Sequence, residues 1–159
     1  MELKTTDLCD NYARVIQVAD PILHDYGKRL AFSGPISTIK VFEDNSLVRA
    51  ALEEAGHGRV LVVDGGGSLR CALLGDQLAA LGAKNNWAGV VVYGCIRDSA
   101  AIARINLGVK GLATHPLRSV KRGVGERDVL VKFAGIIFRP GHFLYADEDG
   151  LLVAEDPLL

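Results

Sequence analysis

Residues 60–98 read VLVVDGGGSLRCALLGDQLAALGAKNNWAGVVVYGCIRD. Two near-continuous apolar runs, VLVV at 60–63 and GVVVYG at 89–94, bracket a segment of helical length. Runs without polar alternation are buried on both faces, as in parallel strands covered by helices. Each run ends in glycine or polar residues. In open α/β sheets ligands gather beyond the carboxyl ends of such strands. Asp64, Gly65, Gly66, Gly67, Asp76, Arg97 and Asp98 are therefore expected to share one pocket.

Toward the N-terminus, Thr6-Asp7 is expected to cap a short helix running to about Val15, broken by Asp20-Pro21. Residues 30–32 and 36–42 read as two strands around a Gly34-Pro35 turn. Asp44-Asn45 opens a helix carrying Leu47, Val48, Ala51 and Leu52 at helical spacing, stopped by Gly56-His57-Gly58. Residues 59–63 form the first central strand, 73–85 a helix, and 89–93 the second central strand. Asp98-Ser99 starts a helix to about Ile105, and 111–114 is a further parallel strand. Beyond Pro116 the pattern changes to short strands at 129–133, 136–138, 143–146 and 151–154. Pro140-Gly141 and the stretch from Asp147 to Gly150 separate them, as in antiparallel hairpins. The fold class is α/β, with parallel central strands followed by short antiparallel strands, in one domain over 1–159.

Composition excludes several classes of function. Hydrophobic residues make up 49% of 159, and the mean hydropathy of +0.21 is high. No apolar run approaches the ~20 residues of a membrane helix, so the surplus apolar surface predicts a subunit interface. A net charge of -1 leaves no basic footprint for nucleic acid. The dense basic cluster of Arg118, Lys121 and Arg122 reads as a solvated loop. Three cysteines without a CxxC, and an N-terminus without an apolar leader, predict a cytoplasmic protein. The four histidines form no HxH or HxxxH pair, which argues against a histidine zinc site.

Among the motifs, the glycine run follows a strand as a dinucleotide fingerprint would, but Arg70 occupies the third glycine position and no Walker lysine is present. A tight turn is the plainer reading. GxSxG is absent. Cys95 reads as a packed apolar cysteine, and Lys84 as a surface helix lysine. The sharper constellation is Asp76 with Arg97-Asp98, a D-x20-R-D spacing. A hard divalent cation takes carboxylate oxygens and keeps waters. An adjacent arginine can fork onto a carboxylate or keto oxygen, which suits stabilising an enolate. The plainer alternatives are a helix cap for Asp98 and a solvent-facing helix residue for Asp76. The other Arg-Asp pair, Arg127-Asp128, has Asn106 where the upstream acid would stand.

The stretches FEDNSLVRAALEE, GRVLVVDGGGSLRCALLGDQLA, GVVVYGCIRD and PGHFLYADEDGLLV resemble, over essentially the full chain, the RraA-like proteins. That family contains regulators of ribonuclease activity and class II 4-hydroxy-4-methyl-2-oxoglutarate aldolases. The resemblance implies an α/β/β sandwich assembled as a homotrimer, sometimes paired into a hexamer, with the pocket at a subunit boundary. It implies Asp98 as ligand of a divalent metal cation, Mg2+ or Mn2+. It implies Arg97 on the pyruvyl part of the substrate, Asp76 acting through a metal-held water, and Gly75, Asp76, Gln77 and Leu78 around the substrate carboxylate. The activity implied is cleavage of 4-hydroxy-4-methyl-2-oxoglutarate to two pyruvates, with oxaloacetate decarboxylation as a side activity. The partner set is then a small 2-keto acid, with neither nucleic acid nor membrane. Aldolase members tend to extend further at the C-terminus and to use an acid from the adjacent subunit. Glu155 and Asp156 are the acids near this chain's end, and neither matches residue by residue. The shorter form lies closer to the regulator branch, whose members bind and inhibit ribonuclease E.

Overall fold

Leu61, Val63, Val90 and Val92 point into one apolar layer and Val60, Val62 and Val91 into another. That two-sided burial is why the central runs carry no polar alternation. The computed structural model describes residues 2–159. In chain order the elements are α1 (Thr5–Tyr12), β1 (Ile16–Val18), β2 (His24–Asp25), β3 (Phe32–Lys40), α2 (Ser46–Glu53), β4 (Val60–Asp64), β5 (Ala72–Leu74) and α3 (Asp76–Lys84). Then follow β6 (Gly89–Ile96), α4 (Ser99–Ile102), β7 (Gly108–Thr114), β8 (Glu126–Arg127), β9 (Val131–Phe133), β10 (Ile136–Phe138), β11 (Phe143–Asp147) and β12 (Gly150–Ala154).

The main sheet runs β1-β12-β11-β3-β4-β6-β7-β2, with β5 added beside β6 and β8 beside β3. β3, β4, β6 and β7 are mutually parallel, and β5 is parallel to β6. The flanking pairs β1-β12, β11-β12, β3-β11 and β2-β7 are antiparallel. Helices α2, α3 and α4 cover one face through Val48, Leu52, Leu78 and Ile102, with Trp87 beside them. The β9-β10 hairpin covers the other face through Phe133 and Phe138, whose rings stack at 4.4 Å between centroids. The architecture is mixed α/β, with a large mixed sheet, few helices and the expected layers of helix, sheet and second β layer.

Several boundaries depart from the expectation. Gly34-Pro35 does not turn the chain, because residues 32–40 form one strand. Its first half pairs antiparallel with β11 up to Pro35, and its second half pairs parallel with β4 from Ile36. Proline, which has no N–H to donate, sits where the strand changes partner. A Cβ at Gly34 would collide with the Gly58 carbonyl, so the glycine serves close packing rather than a turn. The helix expected over 73–85 begins at Asp76, since residues 72–74 are drawn into the sheet beside β6. The first helix is capped from a distance rather than by Thr6-Asp7. Thr5 donates its N–H and hydroxyl to the Asp147 carboxylate at 2.8 and 2.6 Å, and the helix ends at Tyr12. The helix after Asp98 is a single turn. Lys110, which sequence reading passed over, is 3% exposed; it bridges Asp25 at 2.9 Å and donates to the Asp147 carbonyl at 2.8 Å.

Asp44 is the buried acid with the widest reach. Its Oδ1 accepts the N–H and hydroxyl of Ser46 at 2.9 and 2.6 Å, starting α2. Its Oδ2 accepts the N–H groups of Arg122 and Val124 at 2.8 and 3.2 Å. Burial pushes the carboxyl up, but these four bonds outweigh it and hold the pKa at about 2, below the ordinary 3.8. A depressed carboxyl contributes stability above its unfolded pKa and loses it as pH falls through the folded one. We therefore expect Asp44→Asn to lose an ionisation-linked contribution of about 2 kcal/mol at pH 7. Urea denaturation should show that gap from wild type closing between about pH 4 and about pH 2. A gap that stayed constant through this window would contradict the assignment.

Candidate functional site

Parallel pairing of β5 with β6 brings the carboxyl ends of two strands together. The Arg97 N–H donates to the Leu74 carbonyl at 2.9 Å, which sets the end of β6 against the start of α3. From there the Asp98 carboxylate reaches across and accepts the Asp76 N–H at 3.1 Å. Asp98 occupies the N-cap position of α4 yet makes no side-chain cap to its own helix. The plain-cap reading of Asp98 is thereby set aside: its side chain serves α3 instead. To do so its backbone is left-handed, at φ 57° and ψ 40°. Aspartate tolerates that region better than most residues, and such strain gathers at functional sites.

Gly75 is the spacer that permits the arrangement. A Cβ there would lie 2.9 Å from Asp98 Oδ2 and 3.5 Å from Arg97 Nε. Asp76, Gln77 and Leu78 form the first turn of α3. The N–H groups of Gln77 and Leu78 have no helical partner by position and carry the positive end of the helix dipole. Arg97 is half-buried, and its Nη1 makes one long contact of 3.5 Å to the Pro116 carbonyl. Asp76, Arg97 and Asp98 are in no ion pair among the described residues.

These residues line one polar cleft of about 140 Å³. That is well below the ~300–1,000 Å³ of drug-sized cavities, so the cleft fits a small molecule. It contains Gly75, Asp76, Gln77, Leu78, Arg97 and Asp98 together. Asn45, Arg49, Arg118 and Lys121 line it too. Sequence reading assigned none of these four to the site. Arg118 and Lys121 belong to the basic cluster read as a solvated loop, and only their folding back against β5 reveals the difference. The one signal for Arg49 was its place four residues after Asn45 on the same helix face.

Asp64 and the glycine run stand apart from the cleft, contrary to the expectation of one shared pocket. The N–H groups of Gly65 and Gly67 both donate to the Tyr93 carbonyl at 3.1 Å, and that of Gly66 to Asp64 Oδ1 at 2.9 Å. Gly66 and Gly67 have positive φ, and a Cβ on either would press into the ring of Phe42 or Tyr93. The run is a self-satisfied turn with no donors left for a phosphate. Cys95 is buried, and burial pushes its thiol up, away from a nucleophilic thiolate. Of two larger depressions, of about 390 and 420 Å³, the second shares Arg118 and Lys121 with the cleft. Exposed Phe42 and Val124 line the first, and Leu117 and Val120 the second. Lys40, Asp64 and Glu126 also line the first, and Arg118, Ser119 and Lys121 the second, beside apolar walls that read as contact surfaces.

Known proteins share this sequence and fold. The family model RraA-like: Aldolase/RraA matches residues 5–153. The chain is 64% identical over 159 residues to a protein of Alkalilimnicola ehrlichii named as a candidate 4-hydroxy-4-methyl-2-oxoglutarate aldolase, covering 100% of this chain and 99% of the relative. A solved structure from Thermus thermophilis, titled the RNA-processing inhibitor RraA, superposes with a TM-score of 0.96 at 48% identity, covering 100% of this chain and 96% of that one. Another, from Geobacillus kaustophilus and titled S-adenosylmethionine: 2-dimethylmenaquinone methyltransferase, superposes with a TM-score of 0.96 at 50% identity, covering 98% and 97%.

Gly75→Ala tests the spacer directly. The added methyl should displace the Asp98 carboxylate from the Asp76 N–H. In an amide NMR spectrum the Asp76 resonance should move upfield and exchange faster with solvent. The folding free energy should change by no more than ~1 kcal/mol, because the position is on the cleft rim. An unmoved Asp76 amide would mean that the hydrogen bond does not organise the site.

Proposed function

The chain belongs to the RraA-like family, and on that premise we propose that it is a lyase. The reaction is metal-dependent aldol cleavage of 4-hydroxy-4-methyl-2-oxoglutarate to two pyruvates, with oxaloacetate decarboxylation as a side activity. The observation that carries this reading is the convergence of Asp76, Arg97 and Asp98 with the open first turn of α3 in one small cleft. The aldolase name of the Alkalilimnicola relative supports it. S-adenosylmethionine is a drug-sized cofactor, and the cleft of about 140 Å³ is well below the ~300–1,000 Å³ that such ligands occupy. The methyltransferase title is therefore not carried over.

The residues fit Mg2+ or Mn2+. Both available carboxylates are free of ion pairs among the described residues, and no histidine or cysteine lines the cleft. An open, oxygen-only set suits a hard cation that keeps waters. Asp98 would hold the ion and Asp76 would flank it. When bound there, the ion supplies Lewis-acid polarisation of the 2-keto oxygen.

The protein's own groups account for the rest. The N–H groups of Gln77 and Leu78 receive the carboxylate next to the ketone, beside Gly75. Arg97 forks toward the keto oxygen and holds the negative charge that develops on it. A water beside Asp76 takes the 4-hydroxyl proton and passes one to the Asp76 carboxylate. The C4 oxygen then becomes the ketone of the departing pyruvate, the C3–C4 bond breaks, and its electron pair enters the enolate. Protonation at C3 yields the second pyruvate, from an acid of the neighbouring subunit. Loss of carbon dioxide from oxaloacetate leaves the same enolate, so the same groups serve both reactions.

The neighbour is supplied by a homotrimer, open to further pairing. Phe42, Leu117, Val120 and Val124 are 58%, 58%, 59% and 64% exposed beside the cleft, the kind of apolar patch that marks an interface. Sedimentation equilibrium should return three times the 17.0 kDa protomer mass, and a monomer would remove the shared site. A cytoplasmic location fits the three free cysteines.

The Thermus relative, titled an RNA-processing inhibitor, supports a second reading, which for this chain we propose as inhibition of ribonuclease E by protein contact. Chain length does not separate the two, since the aldolase-named and inhibitor-titled relatives are both matched almost end to end. One set of assays does. Pyruvate release should vanish with EDTA, return with Mg2+ or Mn2+, and fall by ~10²-fold or more in Arg97→Ala and Asp98→Ala. Inhibition by contact should survive both EDTA and Asp98→Ala. Full pyruvate release in both variants would refute the lyase.

A further inference from the structure

Lys110 stands where the pattern of β7 calls for an apolar residue, between buried Val109 and buried Gly111. It lies opposite Val91 in the parallel ladder, so it shares the face of the sheet that the second β layer covers. There its ammonium bridges Asp25 at 2.9 Å and donates to the Asp147 carbonyl at 2.8 Å. An ammonium has three donors, and burying one unmatched is costly. The third has no protein acceptor among the described residues. The Asp147 carboxylate is turned instead to Thr5 and to the Asp149 N–H.

Lys110 also lines a cavity of about 170 Å³, which shares no residue with the reaction cleft and is slightly larger than it. Backbone bonds fix its walls. The Ala19 N–H donates to the Leu151 carbonyl at 2.9 Å, and the Asp20 N–H to the Ala134 carbonyl at 2.8 Å, which hold the segment after β1 against β12 and the β9-β10 turn. Leu23 and Leu151 supply apolar walls. Asp20, Glu148 and Asp149 supply an exposed rim, and none is in an ion pair among the described residues. An acidic rim alone is an ordinary solvated surface. Here it lies over a buried ammonium with hydrocarbon between, so the charge changes sign with depth.

We infer that this cavity binds a small apolar α-amino acid as its zwitterion. The ligand carboxylate takes the third donor of Lys110. Its ammonium sits among Asp20, Glu148 and Asp149, and its side chain lies on Leu23 and Leu151. A simple anion would meet the acids of the rim, and a simple amine would meet Lys110 inside, so each gains at one depth and loses at the other. A metal cation is disfavoured by the same lysine. Lys110 is then a binding residue as well as the tie that joins β7 to β2 and to the β11-β12 turn. The inference does not depend on the lyase reading, since the two cavities have no lining residue in common.

The test uses the full-length protein and three ligands: L-leucine, 4-methylpentanoate, which lacks the ammonium, and 3-methylbutylamine, which lacks the carboxylate. Calorimetric titration should show saturable leucine binding, with each analogue about tenfold or more weaker, the loss expected for one charged hydrogen bond. Glu148→Gln/Asp149→Asn should weaken leucine by about tenfold or more and leave 4-methylpentanoate no weaker than before. Lys110→Met should abolish leucine binding. Should that variant fail to fold, because it strands Asp25, the exposed rim variant carries the test. Arg97→Ala, in the other cavity, should leave leucine affinity within about twofold of wild type. The site is overturned by no saturable binding up to about 10 mM leucine, by analogues as tight as leucine, by a rim variant that binds like wild type, or by leucine binding lost in Arg97→Ala.

Discussion

The site depends on one parallel pairing, the short β5 against the end of β6. Three residues of β5 suffice to stop the chain from entering its helix early and to aim the start of α3 at Asp98. Without that pairing Asp76 and Arg97 would be separated by a helix and a strand with nothing to register them. The 3.1 Å hydrogen bond from the Asp76 N–H to the Asp98 carboxylate is the consequence. It also explains why position 75 is glycine, since any Cβ there would occupy the space of the acceptor oxygen.

Asp44 plays the matching part on the other wall. A carboxylate 4% exposed is costly to bury, and four hydrogen bonds offset that cost. Its return is geometric as much as energetic. The segment 118–124 lacks regular structure, and irregular backbone is ordinarily the mobile part of a fold. Bonds to Asp44, Glu43, Asn45 and Ala72 tie it at both ends, so its cations sit on a wall that holds still. Pre-organised charge is worth more to a small anionic ligand than the same charge on a loose loop.

What the sequence made legible is what local pattern determines. The runs at 60–63 and 89–94 could only be two-sided strands, and their carboxyl ends pointed to residues 76, 97 and 98. What it hid is what distant partners determine. Gly34-Pro35 looks like a turn, and only the change of strand partner from β11 to β4 makes it continuous. Thr6-Asp7 looks like a cap, while the working cap is Asp147 at the other end of the chain. Asp98 looks like the cap of its own helix and serves another. Arg118 and Lys121 look like a solvated patch until the loop folds against β5. In each case the residue type was read correctly and its partner was not.

Relatives matched at 48% and 50% identity share this fold at a TM-score of 0.96 and carry unrelated titles. Fold therefore cannot choose among functions here, and the choice falls to the site. The physical costs of that site bear on it. A left-handed aspartate, two carboxylates without ion pairs and three cations without close partners each subtract from stability or leave it unimproved. A protein valued for its outer surface alone gains nothing from them. An ordinary substitution, a neutral side chain for Arg118, would relieve part of the cost. Strain and unbalanced charge concentrated in one small cleft, in a chain whose buried acids Asp44 and Asp147 are well bonded, are what the proposed lyase requires of the place where it takes a small anion.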